Sequence, residues 1–145
     1  MRLTFQTDYA LRMLIYLTTN SGPATVADVA ASYGISRNHL LKVARRLGKY
    51  GYIRTLRGRT GGIELAQRPE DINLGAVVRR MEDDFALVEC MRPDGGGCVI
   101  SPVCRLKGLV GKALDAFLAV FDEYTLAEIT ANRAALHTLL AADRA

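Results

Sequence analysis

Features that many enzymes and membrane proteins need are missing from this chain of 145 residues. It has only two histidines, and it shows no Ser/His/Asp set, no phosphate-binding glycine loop and no paired catalytic carboxylates, so we do not expect an enzyme. No apolar run approaches the length of a membrane span, and the opening residues MRLTFQTD lack the apolar region of a secretory signal. We therefore expect a cytoplasmic protein of about one domain's length, without internal repeats.

Cysteine is scarce as well, and its placement is informative. Cys90, Cys98 and Cys104 all lie in the segment CMRPDGGGCVISPVC, and the other 130 residues contain no cysteine. An odd number of thiols in a reducing compartment argues against a disulfide framework. Three thiols within 15 residues suggest ligands of one centre, and thiolates suit zinc or iron–sulfur clusters. Pro93 and the glycines at 95–97 form a loop able to wrap a metal, with three inert thiols or a disulfide as the alternative.

Basic residues are concentrated in the first half of the chain. Residues 1–68 contain 11 Lys and Arg against 3 Asp and Glu, a net charge of +8. Residues 69–145 contain 8 Lys and Arg against 12 Asp and Glu, a net charge of −4. A basic half beside an acidic half predicts an N-terminal module that binds a polyanion and is joined to a region with another role.

Residues 25–49 have the pattern of a helix-turn-helix. The capping box TVAD starts a short helix that ends at Gly34, and Ser36 then caps a second helix at residues 37–49. The core positions of the second helix repeat at helical spacing and are Leu40, Val43, Ala44 and Leu47. Its other face carries Asn38, His39, Lys42, Arg45, Arg46 and Lys49. A basic face can be merely solvated, but this face follows a glycine turn and a capped start, which favours DNA recognition.

The next residues predict a β-hairpin. Two β-type runs, residues 52–56 and 63–66, flank the turn RGRTGG. Glycines let the backbone approach a phosphate, and arginines are attracted to narrow minor grooves. An ordinary surface hairpin is the alternative, but beside a basic helix-turn-helix the pattern predicts a winged-helix DNA-binding domain over residues 1–68. The residues expected to contact DNA are Ser36, Arg37, Asn38, His39, Lys42, Arg57, Gly58 and Arg59.

The rest of the predicted architecture is helical, so the fold class is mainly α with a small β-hairpin wing. The first helix should open at Thr7-Asp8 and stop near Asn20. A connecting helix is expected at residues 72–81, entered from Asp71 or Asn73, and we predict that residues 69–100 hold this helix and the cysteine loop.

A long helix is predicted to follow the cysteine loop. Ser101 reads as its N-cap and Pro102 as its first turn, and it should reach about Phe121. Cys104 would then lie in the first turn, where the helix dipole favours the thiolate. Apolar residues cover more than one face, in two sets: Val103, Leu106, Val110, Ala113, Phe117 and Val120, and Leu109, Leu114, Leu118 and Phe121.

One face of this helix should pack on its own subunit and another on the same helix of a second copy, as in a twofold dimer. A central core helix of a monomer is the alternative. The predicted third region, residues 101–145, therefore holds a dimerisation helix, and short helices packing back are expected at residues 126–140.

Longer motifs carry a resemblance to a known family. LTFQTDYALRMLIYL, GISRNHLLKVARRLGKYGYI, RGRTGGIELA and CVISPVCRLK together resemble the NsrR-type nitric-oxide-sensing repressors. These are small winged-helix iron–sulfur regulators that have the iron–sulfur-assembly regulator IscR as a relative. The match covers nearly the full chain and departs from the family in the long, glycine-rich spacing between Cys90 and Cys98.

The resemblance implies an iron–sulfur cluster held by Cys90, Cys98 and Cys104, with 4Fe-4S favoured over 2Fe-2S. IscR-like relatives have a histidine three residues after the last cysteine; this chain has Lys107 there, whose protonated amine is a poor iron ligand. In NsrR-like proteins an aspartate early in the partner's first helix looks like the fourth ligand, and Asp8 occupies that place. Without the resemblance, Asp8 would only complement the helix dipole and pair with an arginine four residues later.

The function implied by the resemblance is transcriptional repression. A homodimer would bind a palindromic operator in double-stranded DNA while the cluster is intact, and nitric oxide would act as the effector by attacking the cluster. The implied targets are genes for nitric-oxide detoxification or nitrogen-oxide metabolism. The alternative is an IscR-like regulator that senses cluster or redox status, which Lys107 argues against.

Overall fold

The computed structural model describes residues 1–142, and over that range the chain has seven α-helices and one β-hairpin. The elements are α1 (Phe5–Thr19), α2 (Val26–Tyr33), α3 (Arg37–Lys49), β1 (Ile53–Leu56), β2 (Gly62–Leu65), α4 (Leu74–Met81), α5 (Arg105–Asp122), α6 (Leu126–Ile129) and α7 (Arg133–Ala142). Short 3-10 turns cover Pro69–Asp71 and Glu89–Met91. The predicted fold class is therefore confirmed. The final residues of the predicted third region, 143–145, lie outside the described residues.

Helix α1 lies at the centre of the fold. Its residues Ala10, Met13 and Leu14 are fully buried and share one helix face. This helix contacts α3, α4, α6, α7 and the second strand of the hairpin. Because full burial of a leucine-sized side chain stabilises the folded state by about 1.5–3 kcal/mol, these contacts fix α1 as the support on which the other elements pack.

Local sequence explains the turn between α2 and α3. The Thr25 hydroxyl accepts the Asp28 N–H at 3.1 Å, and the Asp28 carboxylate accepts the Thr25 N–H at 2.8 Å, which completes the predicted capping box. Gly34 ends α2 with a φ of 62°, a left-handed conformation that glycine adopts without strain. Ser36 occupies the N-cap position of α3, although its side chain forms no capping hydrogen bond.

The hairpin is anchored at its base and exposed at its tip. Strands β1 and β2 pair antiparallel, with Ile53 opposite Leu65 and Leu56 opposite Gly62. The buried Ile63 exchanges two backbone hydrogen bonds with Ala24, at 2.7 and 3.0 Å, which joins the hairpin to the residues that precede α2. Residues 57–60 at the tip are exposed.

Two predicted helix starts are wrong. Helix α1 begins at Phe5 rather than at Thr7-Asp8, because Thr4 is the N-cap and donates its backbone N–H to the distant carboxylate of Glu82. Helix α5 begins at Arg105 rather than at Pro102. The residues before it form successive turns with bonds three residues apart, including Ser101 N–H to the Cys98 carbonyl at 3.2 Å, and this pattern does not continue into the α-helix.

The C-terminal helices return to the core, as predicted, and α4 is bound to the end of α5. Helix α7 contacts α1 and α2. The Asn73 side chain, which caps α4, donates to the Asp122 carbonyl at 2.8 Å, and Arg79 forms an ion pair with the Asp122 carboxylate. The connecting helix begins at Leu74 with Asn73 as its N-cap, one of the two entry residues expected from the sequence. None of the helices within residues 1–142 has the length and apolar character needed to cross a membrane.

Candidate DNA-binding surface and candidate metal centre

The exposed face of α3 carries the helix-turn-helix residues that are expected to contact DNA. Those residues, Ser36, Arg37, Asn38, His39 and Lys42, are all exposed, whereas Leu40 on the opposite face is fully buried. In the portion of the chain that is described, the side chains of these five residues form no hydrogen bond or ion pair with the protein. Their donors and acceptors are therefore available for base edges and phosphates.

The wing presents two more unpaired arginines. Arg57 and Arg59 flank Gly58 at the exposed tip, and neither guanidinium has an ion-pair partner within residues 1–142. Gly58 has a φ of 104° and accepts the Gly61 N–H at 3.1 Å, so the turn uses a left-handed residue. A side chain at Gly61 would collide with the carbonyl oxygens of Leu56 and Gly58. The turn chemistry thus explains the glycines and leaves both arginines directed away from the core.

Not every basic side chain of the helix-turn-helix is free for DNA. The sequence predicts Arg46 on the solvated face of α3, but only 26% of its side chain is exposed. Its guanidinium donates to Gln6 at 2.7 Å and pairs with Asp83 at 3.0 Å. Arg54 on β1 is likewise paired, at 2.6 Å, with Glu64 directly opposite on β2. The sequence prediction for Arg46 is wrong because its partners lie 34 or more residues away and leave no local signal.

Glu82 is a structural residue that the sequence pattern did not reveal. Its carboxylate accepts the Thr4 backbone N–H at 3.1 and 3.2 Å and the hydroxyls of Thr4 and Thr7. Thr7 is fully buried, and its hydroxyl is paired with this carboxylate and with the Thr4 hydroxyl, at 3.3 Å. The contact fastens the first turn of α1 to the end of α4, eight positions before Cys90, where the cysteine segment (residues 90–104) begins.

The loop between the first two cysteines folds back on itself. Cys90 is buried on the 3-10 turn Glu89–Met91, and the Glu89 carboxylate accepts the Gly97 N–H at 3.0 Å. A Cβ atom at Gly96 would lie 2.6 Å from the Glu89 carbonyl oxygen, and Gly96 has a φ of 60°. The glycines therefore allow the chain that leads into Cys98 to lie against the residue preceding Cys90.

The second and third cysteines are separated by the turns at residues 98–104, and Cys104 is the N-cap residue of α5 rather than part of its first turn. Both side chains are half-buried, and all three thiols are free.

An iron–sulfur cluster needs soft donor atoms that lie close together. Across residues 1–142, no three His, Cys, Asp or Glu side chains are grouped closely enough to hold a metal ion. The donor type fits, because all three thiols are free. They lie in one segment, and the close approach of Gly96 to Glu89 brings together the two ends of the loop between Cys90 and Cys98. The segment thus carries three thiols of the donor type that iron–sulfur clusters use, but the described residues do not bring them together.

Asp8 is held by an arginine rather than by the cysteine segment. The Asp8 carboxylate accepts from Arg12 at 2.8 and 3.0 Å, as the spacing of four residues predicts. The Arg12 guanidinium also lies 5.8 Å from the Tyr9 ring centroid and 5.9 Å from that of Tyr33. Burial raises the pKa of Tyr33 to about 12, so its hydroxyl stays protonated and donates to the Arg12 carbonyl at 2.9 Å. Asp8 keeps 40% of its side chain exposed and remains accessible.

Much of the apolar surface of α5 is uncovered. Leu106, Leu109 and Val120 are 56%, 63% and 56% exposed, while Leu118 is buried. The inward residues Leu114, Phe117 and Phe121 border a cavity of about 730 Å³ between α5, the N-terminal residues and the segment 82–87. Each of the two apolar sets predicted from the sequence is therefore divided between the two faces of α5. Phe117 faces its own chain, unlike Leu106 of the same set, and Leu109 faces outward, unlike Leu118 of its set.

Known transcriptional regulators are similar to this chain over nearly its full length. Residues 3–132 match the Rrf2 family, described as an iron-dependent transcriptional regulator. The chain is 50% identical over 142 residues to the HTH-type transcriptional regulator NsrR of Bacillus licheniformis, covering 97% of this chain and 99% of that protein. NsrR of Bacillus subtilis is also 50% identical over 142 residues, with 97% of each protein covered. T. potens IscR has a similar fold, with a TM-score of 0.73 at 22% identity over 91% of this chain and 88% of that chain.

The two NsrR proteins align with 97% of this chain. The alignments therefore include α3, which is the recognition helix of the predicted helix-turn-helix, as well as the wing and the cysteine segment. They are named as transcriptional regulators, so the expectation that the chain is not an enzyme is confirmed. The exposed basic face of α3 and the exposed wing agree with regulation through DNA binding. The chain therefore belongs to the Rrf2 family as an NsrR-type winged-helix transcriptional regulator.

Proposed function

We propose that this protein is a homodimeric repressor that binds a palindromic operator and responds to nitric oxide through an iron–sulfur cluster. The observation that carries the proposal is the set of three free thiols at residues 90–104, immediately before α5, in a chain of NsrR type. The target genes would serve nitric-oxide detoxification or nitrogen-oxide metabolism, as the family resemblance implies.

Cys90, Cys98 and Cys104 would hold the cluster, and Asp8 of the partner subunit would provide the fourth ligand. When bound, the cluster would supply iron that nitric oxide can ligate. A carboxylate is a hard ligand for iron in a thiolate environment, so the Asp8 position would be the one most readily given up. In this role Asp8 exchanges its bidentate bond with Arg12 for a bond across the dimer, which its 40% exposure permits.

The DNA contacts follow from the exposed basic surface. The N-terminal part of α3 would enter the major groove, with Asn38 and His39 at base edges and Arg37 and Lys42 near phosphates. Arg57 and Arg59 would reach the neighbouring minor groove from the wing, where a narrow groove attracts cations. Pairing of the exposed face of α5 between two copies would set the distance between the two recognition helices.

Anaerobic purification followed by titration tests this function. The purified protein should be brown, contain iron and sulfide, and bind operator DNA as a dimer. Stoichiometric nitric oxide should bleach the absorption and release the DNA. A colourless protein that holds one tightly bound zinc per chain would contradict the proposal. If oxidants release the DNA and nitric oxide does not, the result would instead support the IscR-like alternative.

A heterodimer tests whether Asp8 acts across the dimer. We would mix Asp8→Ala subunits with Cys104→Ala subunits, and isolate the mixed dimer with two affinity tags. If Asp8 ligates in trans, both lesions fall on one site and the other site is intact, so the mixed dimer should hold about half of the wild-type stable cluster. If Asp8 ligates within its own chain, no site is intact. Mixed dimers without stable cluster would therefore rule out the crossing.

A further inference from the structure

Three residues at the end of α4 bind three different parts of the DNA-binding half. The Arg80 guanidinium lies over the rings of Tyr50 and Tyr52, at 5.8 and 5.6 Å, where α3 turns into the wing. Glu82 binds the first turn of α1, as described above. Asp83 pairs with Arg46 on α3. We name residues 80–83 the junction, because it joins these parts to the chain that leads, through residues 84–89, into the cysteine segment.

Arg46 is the residue of α3 on which the junction converges. One guanidinium nitrogen donates to the Gln6 side chain at 2.7 Å and to Asp83 at 3.0 Å, and the other donates to the Arg80 carbonyl at 2.9 Å. It lies in the last turn of α3, at the C-terminal end of the helix, whereas the N-terminal end is expected to read DNA. A planar guanidinium can satisfy several acceptors in fixed directions, so the rotation of α3 depends on where these acceptors lie.

The position of Asp83 makes it sensitive to the cysteine segment. It lies seven residues before Cys90, its side chain is 65% exposed, and it belongs to no helix or strand. Glu82 before it is tied to α1, whereas within residues 1–142 the Asp84 side chain forms a hydrogen bond with the nearby Ala86 N–H, at 2.8 Å, and none with α3. A change in the conformation of residues 84–104 therefore reaches Asp83 first among the residues that touch α3.

We propose that Arg46 is a positioning residue that couples the cysteine segment to the recognition helix through Asp83. The proposal rests on the proposed function, since it requires that ligand binding at the cysteines changes DNA affinity. Coupling needs a contact whose strength differs between the two states, and the Arg46–Asp83 pair joins α3 to the chain that leads into the cysteine segment. A purely structural role would instead change both states of the protein equally.

The test is the ratio of operator Kd values for cluster-free and cluster-loaded protein. Asp83→Ala removes the acceptor for Arg46, and we expect the ratio to fall by about two- to five-fold, the range for a partly exposed ion pair. Asp84→Ala is the matched control, because it removes the same charge one residue later without touching α3. It should leave the ratio unchanged, even where the lost negative charge alters both Kd values.

A second variant makes the test independent of charge. Arg46→Lys keeps the cation, but a lysine cannot reach Gln6, Asp83 and the Arg80 carbonyl together. It should therefore lower the ratio by about ten-fold, or to one where the wild-type ratio is below about ten. Combining it with Asp83→Ala should lower the ratio no further. Circular dichroism melting curves would establish that each variant is folded before the ratio is measured.

The outcomes separate the coupling from the function on which it rests. A wild-type ratio of one would overturn both. A wild-type ratio well above one that Asp83→Ala and Arg46→Lys leave intact would overturn the coupling alone. A fall in the ratio with Asp84→Ala as large as with Asp83→Ala would also overturn it, because the effect would then come from net charge.

Discussion

Helices α3 and α5 are both amphipathic, but their apolar faces have different surroundings. On α3, Leu40, Val43 and Leu47 are at most 1% exposed and belong to the core around α1. On α5, only Leu118 is buried, and Leu106 and Leu109 are more than half exposed. The DNA-reading half thus completes its core within one chain, whereas the long helix leaves apolar surface that suits a second copy.

The polar contacts follow the same division. The cationic side chains at the start of α3 and at the wing tip are unpaired across the described chain, as expected of a surface that meets a polyanion. The thiols of the cysteine segment are free but are not gathered into a metal site by a single described chain. The α3 face and the wing are therefore exposed for binding in a single chain, whereas the thiol region is the one for which we propose a cofactor and a partner. Four sets of variants test this difference.

The largest effect is expected in the cysteine segment. Cys98→Ala or Cys104→Ala should abolish the iron–sulfide absorption entirely while leaving the melting temperature of the cluster-free protein close to wild type, because both side chains are half-buried. Absorption spectra and iron analysis would measure the loss. Ser101→Ala lies in the same segment and serves as the control. Retention of a full chromophore in both cysteine variants would exclude this segment as the cluster site.

The exposed face of α5 should matter next. Leu106→Lys combined with Leu109→Lys should raise the dimer dissociation constant by more than about 100-fold, since each buried leucine is worth roughly 1.5–3 kcal/mol and each 1.4 kcal/mol is ten-fold. Sedimentation velocity across a concentration series measures the change. Leu139→Lys on α7 is a matched control, because Leu139 is 71% exposed and lies on another helix. An unchanged dimer in the double variant would place the interface elsewhere.

A smaller change is expected at the wing. For wild-type protein the log–log slope of operator affinity against salt should be about −5 to −9, for roughly 6–10 neutralised phosphates per dimer. Arg57→Ala with Arg59→Ala should weaken binding by about 10- to 100-fold and make the slope shallower by about 2 to 4. Fluorescence anisotropy at several salt concentrations measures both. Arg68→Ala is the control, because that arginine is already paired with Asp71. Equal losses in the control would count against a specific wing contact.

The smallest effect should be that of Asp8 on folding. Asp8→Asn weakens the pair with Arg12, whose side chains are 42% and 40% exposed, so the free energy of unfolding of cluster-free protein should fall by less than about 1 kcal/mol. Urea denaturation measures it. Cluster-loaded protein should nevertheless lose its cluster faster than wild type. Identical rates of cluster loss would leave Asp8 with only its helix-stabilising role.

The sequence alone was sufficient wherever the signal is local. The capping box at residues 25–28, the glycine that ends α2, the apolar repeat of α3 and the hairpin with its RGRTGG turn depend on residues within one or two turns of each other. The same is true of the Asp8–Arg12 pair. Composition also located the basic half and the cysteine segment, because charge and thiols can be counted without a fold.

Tertiary structure decided the features that depend on distant residues. The start of α1 and the burial of Thr7 follow from Glu82, 75 or more positions away, and the placement of Arg46 follows from Gln6 and Asp83. The start of α5 follows from the turns that hold Cys98 and Cys104, and its two apolar faces were separated only by what α5 packs against. A pattern of residue types specifies local backbone preferences, whereas the partner of a carboxylate or of a helix face is chosen by the whole packed chain.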